Sequence, residues 1–351
     1  MITARLVDVA DKTQTVFVTG ASGFIAGHCI LRLLQEGYAV RGSLRTAGRA
    51  DAVRMALEPH VSTDDLSFLT LDLCSDDGWE EALEGCTYLL HVASPFPSAS
   101  PDNEDDLIIP ARDGTLRTLR AAAKAGVKRT VLTSSIVAIA YGEDRDEDYV
   151  FTEADWSNTD GELSAYGKSK TFAERAAWQF METQEAGEME LAVINPGAVL
   201  GPLLGSTFSS SGQIVKRLLD GSVPACPAIG FSFVDVRDVA DAHYAAMLKP
   251  AAVGRRYALV GPYAWMIDVS RILHGAGYKS TTLKLPNFMV HVLAKFDKSM
   301  RLLKSGLGVR REISNERMRT ELGIEPRSLD DMILSMAESM VRSDVVQPKM
   351  R

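Results

Sequence analysis

Hydrophobic and polar positions alternate between two periods along the first half of the chain. "TVFVT" (15–19) is a short β-branched run, and "GFIAGHCILRLLQEG" behind it repeats its apolar positions at helical spacing before stopping at Gly37. The same change of period recurs. "YAVRGSL", "LSFLTLDL", "TYLLHVA", "RTVLTSS" and "ELAVINP" read as five further strands. Helical patterns lie between them, including "EDDLIIPARDGTLRTLRAAAKAG" and a segment from about Tyr166 to Glu185. Strand–helix alternation of this kind builds right-handed crossovers and a parallel sheet. The pattern therefore predicts an α/β fold, a doubly wound Rossmann-type parallel sheet with a smaller C-terminal substrate-binding part. Residues 1–195 should form the dinucleotide-binding domain, which also receives 231–248, and 196–351 should mainly form the substrate-binding part. "GFSFVDV" reads as a core strand before a helix from Val236 to Leu248, and the Gly/Ser-rich "GPLLGSTFSSSG" as a loop that closes over a ligand.

Composition narrows the classes of function. The chain has 351 residues and a formal net charge of −8, which disfavours nucleic acid as the main partner. The basic stretch from Lys295 to Arg319 reads as a solvated helical face. No apolar run is long enough to cross a bilayer, and "MITARLVDVADK" has no signal-peptide core, so a cytoplasmic protein without a membrane partner is expected. Cys29, Cys74, Cys86 and Cys226 form no C-x-x-C pair and suit a reducing compartment. The six histidines lack ligand spacing, so no catalytic metal is expected. The expected partner is a small molecule, and the protein a monomer or homodimer.

The chemistry gathers at strand ends, where ligands of such sheets bind. "VTGASGFIAGH" places Gly20 at the end of the first strand and Gly23 at the start of the first helix. Glycine allows positive φ and a close approach of backbone to phosphate, and the helix N-terminus offers N–H groups to a pyrophosphate. The spacing is G-x-x-G-x-x-A, ending at Ala26. The second strand runs into Ser43, Arg45 and Arg49, with no acid before Asp51. A carboxylate there would hydrogen-bond a ribose 2′-hydroxyl, whereas guanidinium groups suit a 2′-phosphate, so the pattern points to NADP(H). In "SAYGKSK", Tyr166 and Lys170 are four apart and share a helix face, while Lys168 should turn away, to solvent. A neighbouring ammonium would lower the phenol pKa from near 10 towards the range of useful proton transfer. "TSS" at the end of the fifth strand adds Ser134 and Ser135 as hydroxyl donors for a carbonyl.

"TGASGFIAGH", "HVASPFP", "TSS", "YGKSK", "NPGAVLGP", "FVDVRDVADAH" and "ISNERMRTELGIEPRSLDD" together resemble the extended short-chain dehydrogenase/reductase superfamily. Within it the chain is most similar to the dihydroflavonol reductase-like group of NADPH-dependent aldehyde and ketone reductases, over nearly its whole length. The resemblance implies Tyr166 as proton donor, Lys170 as its partner, and Ser135, with Ser134 as the alternative, as the hydroxyl that binds the carbonyl. It implies cofactor contacts from Gly20, Ser22, Gly23, Phe24 and Ile25 to the phosphates, and from Arg45 to the 2′-phosphate. Arg49 fits the family's pattern less closely by position. Asp72 and Leu73 would meet the adenine, and Val92, Ala93 and Ser94 would lie under the ribose. Pro196, Gly197, Ala198 and Val199, with Ser211 further on, would lie at the nicotinamide side. The implied reaction is direct hydride transfer to a carbonyl carbon.

Phe96, Val137, Tyr141, Leu163 and Phe208 lie at strand ends or in the Gly/Ser-rich loop and suggest an apolar and aromatic substrate pocket for an aryl or alkyl carbonyl. Two other functions share parts of this pattern. A nucleotide-sugar epimerase or dehydratase would hold NAD and carry an acid after the second strand, where Arg45 stands. A dinucleotide-sensing regulator would not need Ser135, Tyr166 and Lys170 together.

Overall fold

The computed structural model describes residues 14–94, 103–143, 145–146, 148–293 and 306–351. The first strand, β1 (Thr15–Val18), is buried on both faces: Val16 and Val18 join one core cluster and Phe17 the other. That two-sided burial is why the strand reads as a continuous apolar run. The chain continues through α1 (Phe24–Gln35), β2 (Ala39–Leu44), α2 (Ala50–Leu57), β3 (Leu66–Thr70), α3 (Trp79–Leu83), β4 (Cys86–His91), α4 (Asp105–Lys124) and β5 (Arg129–Thr133). After β6 (Val150–Phe151) come α5 (Ala165–Met181), β7 (Glu190–Pro196), β8 (Ala198–Leu200), α6 (Gly212–Leu219), β9 (Gly230–Asp235), α7 (Val236–Leu248) and β10 (Arg255–Leu259). The rest comprises β11 (Tyr263–Trp265), α8 (Met266–Gly275), α9 (Asn287–Leu293), β12 (Glu312–Ile313), a π-helical turn at Met318–Leu322 and α10 (Leu329–Arg342).

Seven strands form one sheet in the order β10-β7-β5-β4-β1-β2-β3, every pair parallel. The chain winds outward from β1 to β3, returns to β4 and winds outward the other way. Its reversal lies between β1 and β4, and a crevice opens there beyond the strand ends. This is the doubly wound α/β sheet expected from the alternating periods.

The second half of the chain is distributed between this sheet and smaller ones. β8, β9 and β11 make a three-stranded sheet, and β12 pairs with β6. The segment 231–248 divides: β9 belongs to the three-stranded sheet, while α7 packs against α1, β5 and β7 of the large one. β10, from beyond residue 250, adds the seventh strand beside β7. α10 packs on α6 and α8. Residues 306–319 are not the solvated helical face expected of the basic stretch. They form turns, β12 and the start of the π-helical turn, and Arg317 donates to the Arg256 carbonyl. Lys295 and the residues up to 305 lie outside the described residues. No helix among the described residues is long and apolar enough to cross a membrane.

Candidate active site

A groove of about 540 Å³ opens at the reversal point of the sheet. Gly20, Ser22, Gly23, Phe24, Ile25, Arg45, Asp72, Leu73, Val92, Ala93, Ser94, Tyr166 and Phe208 all line it. Residues predicted from the ends of β1, β2, β3 and β4 are thus brought together by the sheet order, with Tyr166 from the start of α5.

The floor at the β1–α1 turn is shaped by glycine. Gly20 has φ +68°, and a Cβ there would stand 3.0 Å from Ala93 Cβ. Its N–H donates to Ser43 Oγ at 3.0 Å. Thr19 Oγ1 accepts from the Val92 and Ala93 amides, both at 2.9 Å, and bonds His91 Nδ1 at 3.0 Å. This hydroxyl therefore seats the end of β4 against the turn. Gly23 caps α1 without a side-chain bond, and the first turn of α1 carries no acid. The N–H groups of that turn face the groove unneutralised, which is the electrostatic condition for an anion. Arg45 follows β2 at the rim, is exposed, and forms no ion pair among the described residues. The residues present fit a dinucleotide with an additional phosphate.

Arg49 is not in the groove. It lines an adjoining cavity of about 230 Å³ behind Ser22–Phe24, with α2 and the 204–207 segment as the other walls. Pro196, Gly197, Ala198, Val199 and Ser211 are likewise not among the groove walls. Gly197 is wedged under β9, where a Cβ would meet the Ser232 carbonyl at 2.2 Å, and its N–H donates to Leu259 O. Val199 O accepts from Ser209 Oγ at 2.7 Å and so ties down the loop that carries Phe208. Ser209 and Ser210, rather than Ser211, reach the groove, because Ser211 turns into the start of α6. Cys74 and Trp79 also line it and were not anticipated. Trp79 Nε1 donates to the carbonyls of Asp72 and Ser75, which holds that loop. A tryptophan inside a helical pattern reads as core, so only the folded loop gives it away.

Tyr166 stands in the first turn of α5, whose N-cap Ser164 accepts from the Gly167 amide at 3.1 Å. The Tyr166 side chain hydrogen-bonds Ser135. Ser135 caps a short 3₁₀ turn after β5. Its Oγ accepts from Val137 N at 3.3 Å and donates to Pro196 O at 3.4 Å. Ser134 Oγ is buried and bonds no described group. It faces a small cleft shared with Ala93, Ser94 and Lys170. Of the two serines, Ser135 is the one that meets the tyrosine.

Lys170 lies one turn along from Tyr166 and is buried, with Nζ donating to Thr133 O at 3.1 Å. Burial lowers its pKa to about 8, while the Glu174 carboxylate pulls the other way. Burial pushes the Tyr166 phenol up, and the bond to Ser135 draws it down. The net direction is upward, not the lowering expected from a neighbouring ammonium. Lys168 does turn away, but it meets Glu104 at the start of α4 at 2.7 Å rather than open solvent.

A buried polar layer supports the pair. Glu174 accepts from Arg256 Nε at 2.5 Å and from Asn195 Nδ2 at 2.7 Å, and Asn195 also donates to Ser135 O. Thr133 Oγ1 bonds His243 Nε2 at 2.7 Å, and His243 Nδ1 bonds Val239 O, which makes Nδ1 the protonated nitrogen of a neutral ring. Burial holds that imidazole at a pKa of about 4.

A second cavity, of about 520 Å³, lies beside Ser135 and Tyr166. Val137, Tyr141 and Leu163 line it as predicted, but so do Glu143, Asn158, Glu162, Ser164 and Arg311, so its wall is substantially polar. Phe208 lies in the cofactor-sized groove instead. Phe96 is outside the described residues.

Comparison with known proteins identifies the lineage. Residues 16–260 match the model of the NAD dependent epimerase/dehydratase family. A cinnamoyl-CoA reductase of Medicago truncatula is 37% identical over 74% of this chain and 80% of its own. The chain belongs to the NAD dependent epimerase/dehydratase family, in its dihydroflavonol reductase-like group of reductases. An NADPH-dependent methylglyoxal reductase of Saccharomyces cerevisiae is 33% identical over 74% of this chain and 82% of its own. The fold also matches the crystal structure of the yeast methylglyoxal/isovaleraldehyde reductase complexed with NADPH, with a TM-score of 0.77, 28% identity, and coverage of 95% of this chain and 99% of that one. The family is described by epimerases and dehydratases while these relatives are named as reductases, so the family name by itself does not choose the substrate.

Proposed function

We propose that this protein reduces the carbonyl of an aldehyde or ketone to an alcohol with NADPH, Tyr166 delivering the proton. The observation that carries the reading is the hydrogen-bonded Ser135–Tyr166 pair at the edge of a groove whose rim holds Arg45. When bound in that groove, NADPH would supply the hydride. Gly20 and Gly23 leave room for the pyrophosphate, and the first turn of α1 would hold it by backbone N–H groups. Arg45, free of any carboxylate partner among the described residues, suits the 2′-phosphate. Relatives named as NADPH-dependent support the same choice.

Ser135 and Tyr166 together would hydrogen-bond the carbonyl oxygen, on which negative charge grows during reduction. Tyr166 then gives up its proton, and the nearby Lys170 ammonium stabilises the phenolate left behind. Burial keeps the phenol protonated at neutral pH, the form an acid must have before it acts. Ser135 takes the carbonyl-binding role because its hydroxyl meets Tyr166, whereas Ser134 faces the lysine cleft.

Tyr166→Phe removes the proton source and keeps the ring. It should lower kcat for aldehyde reduction by about 10²–10⁴-fold, the usual scale for a positioned acid, while NADPH binding by fluorescence persists. Near-normal turnover in this variant would take Tyr166 out of the acid role. NAD retained on purification together with conversion of a UDP-sugar would favour the epimerase reading instead.

A further inference from the structure

The cavity beside Ser135 and Tyr166 contains a guanidinium, Arg311, with no ion pair among the described residues. Val137, whose amide donates to Ser135 Oγ, and Ser164, two residues before Tyr166, place one wall next to the proposed reaction centre. Tyr141 and Arg311 line the same cavity, the guanidinium carbon 4.7 Å from the ring centroid. Arg311 is brought there from far along the chain, by the pairing of β12 with β6 directly after it. It is half-buried.

The neighbouring arginines are all answered by acids. Arg310 pairs with Glu312, Arg317 with Glu321, and Arg319 with Glu325. Arg311 alone of these four forms no ion pair and donates no hydrogen bond among the described residues. The two acids on the cavity wall do not compensate it. Glu143 is bonded to Arg145 by two guanidinium nitrogens, at 2.6 and 2.9 Å, and Glu162 is exposed, where water and salt screen it. The Arg311 guanidinium lies over the Tyr141 ring and also lines the cavity. An edge of parallel donors matches a carboxylate in its own plane through two hydrogen bonds.

We infer that Arg311 binds a carboxylate at the far end of the carbonyl substrate, so that the preferred substrates are oxo acids rather than neutral aldehydes or ketones. The inference rests on the proposed carbonyl reduction and adds the substrate class. The polar wall that replaces the expected apolar pocket is the same observation seen from the lining side.

The test compares each acid with its methyl ester, which keeps the carbonyl and removes the charge: 4-formylbenzoate and 5-oxohexanoate against their esters, with NADPH. The wild-type protein should favour the acids by about 10-fold or more in kcat/KM, the scale of one good charge-assisted contact. Arg311→Met should bring the acid-to-ester ratio close to one, mainly through a higher KM for the acid, and Arg311→Glu should invert it. NADPH binding by each variant, followed by fluorescence, checks that the fold is kept. Equal use of acid and ester by the wild type, or an acid preference that survives in Arg311→Met, would overturn the inference while leaving carbonyl reduction standing. No NADPH oxidation with acids, esters or other carbonyls would instead remove the reading on which it rests, and the inference with it.

Discussion

Burial leaves Lys170 with a pKa of about 8, against an ordinary value above 10, and this sets how the proposed reaction should respond to pH. The Glu174 carboxylate on the next turn favours its ammonium form, His91 and Thr133 flank it from β4 and β5, and Tyr166 lies on its own helix. The ammonium is present below about pH 8 and is lost as pH rises through that value. The phenol, held above its usual range, stays protonated over the same span. Reductive kcat/KM should therefore be flat near neutrality and fall above about pH 8. Lys170→Arg, which keeps its charge, should move that limb upward by a pH unit or more at a reduced maximal rate. A limb that stays in place in Lys170→Arg would show that another group produces it. That Lys170 follows Tyr166 by one helical turn could be read from the sequence because residues four apart share a helix face. The Lys168–Glu104 pair could not, since its partner lies 64 residues away on α4. The Ser134–Ser135 choice was also out of reach, because adjacent residues at a strand end can each point either way until the next turn is built. Here the 3₁₀ turn that Ser135 caps decides it.

At the scale of elements, the position of Tyr166 depends on where α5 begins. Ser164 stops the helix from extending backward and satisfies the Gly167 amide, so that Tyr166 falls in the first turn beside Ser135. Ser164→Ala should lower stability by about 1 kcal/mol, the usual cost of a lost cap. It should also lower kcat, because the first turn frays where the acid is held. Denaturant titration and steady-state kinetics on one preparation would show both, and an unchanged unfolding midpoint would mean that packing rather than the cap holds this turn. The strands β1, β2, β4, β5 and β7 appear close to where the short apolar runs place them, since strands buried on two faces write their burial directly into sequence. β6, β8, β11 and β12 span only two or three residues each. Such short pieces have no period to read and are strands only because a distant partner lies beside them.

Across the whole molecule, residues from both ends of the chain join one core cluster, from Val16 to Val346. Arg256 on β10 reaches back 82 residues to Glu174, both of them buried, and stacks on Trp156 at 3.7 Å. Three buried histidines add a liability of the same global kind. Burial lowers His28 to about 4, His91 to about 3 and His243 to about 4. In the unfolded chain each would take a proton near pH 6.5, while the folded protein refuses it until far lower pH. The unfolded state thus binds more protons between these values, and stability falls as pH drops below about 6.5, by up to about 1.4 kcal/mol per pH unit for each histidine. The urea midpoint at pH 5 should be clearly below that at pH 7. Equal midpoints would mean that raised carboxyls such as Asp238 and Asp241, which act in the opposite sense, cancel the effect. The winding of the sheet, the glycine turn, the Tyr166–Lys170 face and the arginine after β2 were legible along the chain. All of these are local: a hydrophobic period, a backbone freedom or a spacing along one element. Folding alone settled which serine meets Tyr166, that Arg49 and Ser211 stand outside the groove, and that Arg311 lines the cavity beside Ser135 with no ion pair among the described residues. Those outcomes depend on contacts between residues far apart in the chain, and no local pattern carries the free energy that selects them.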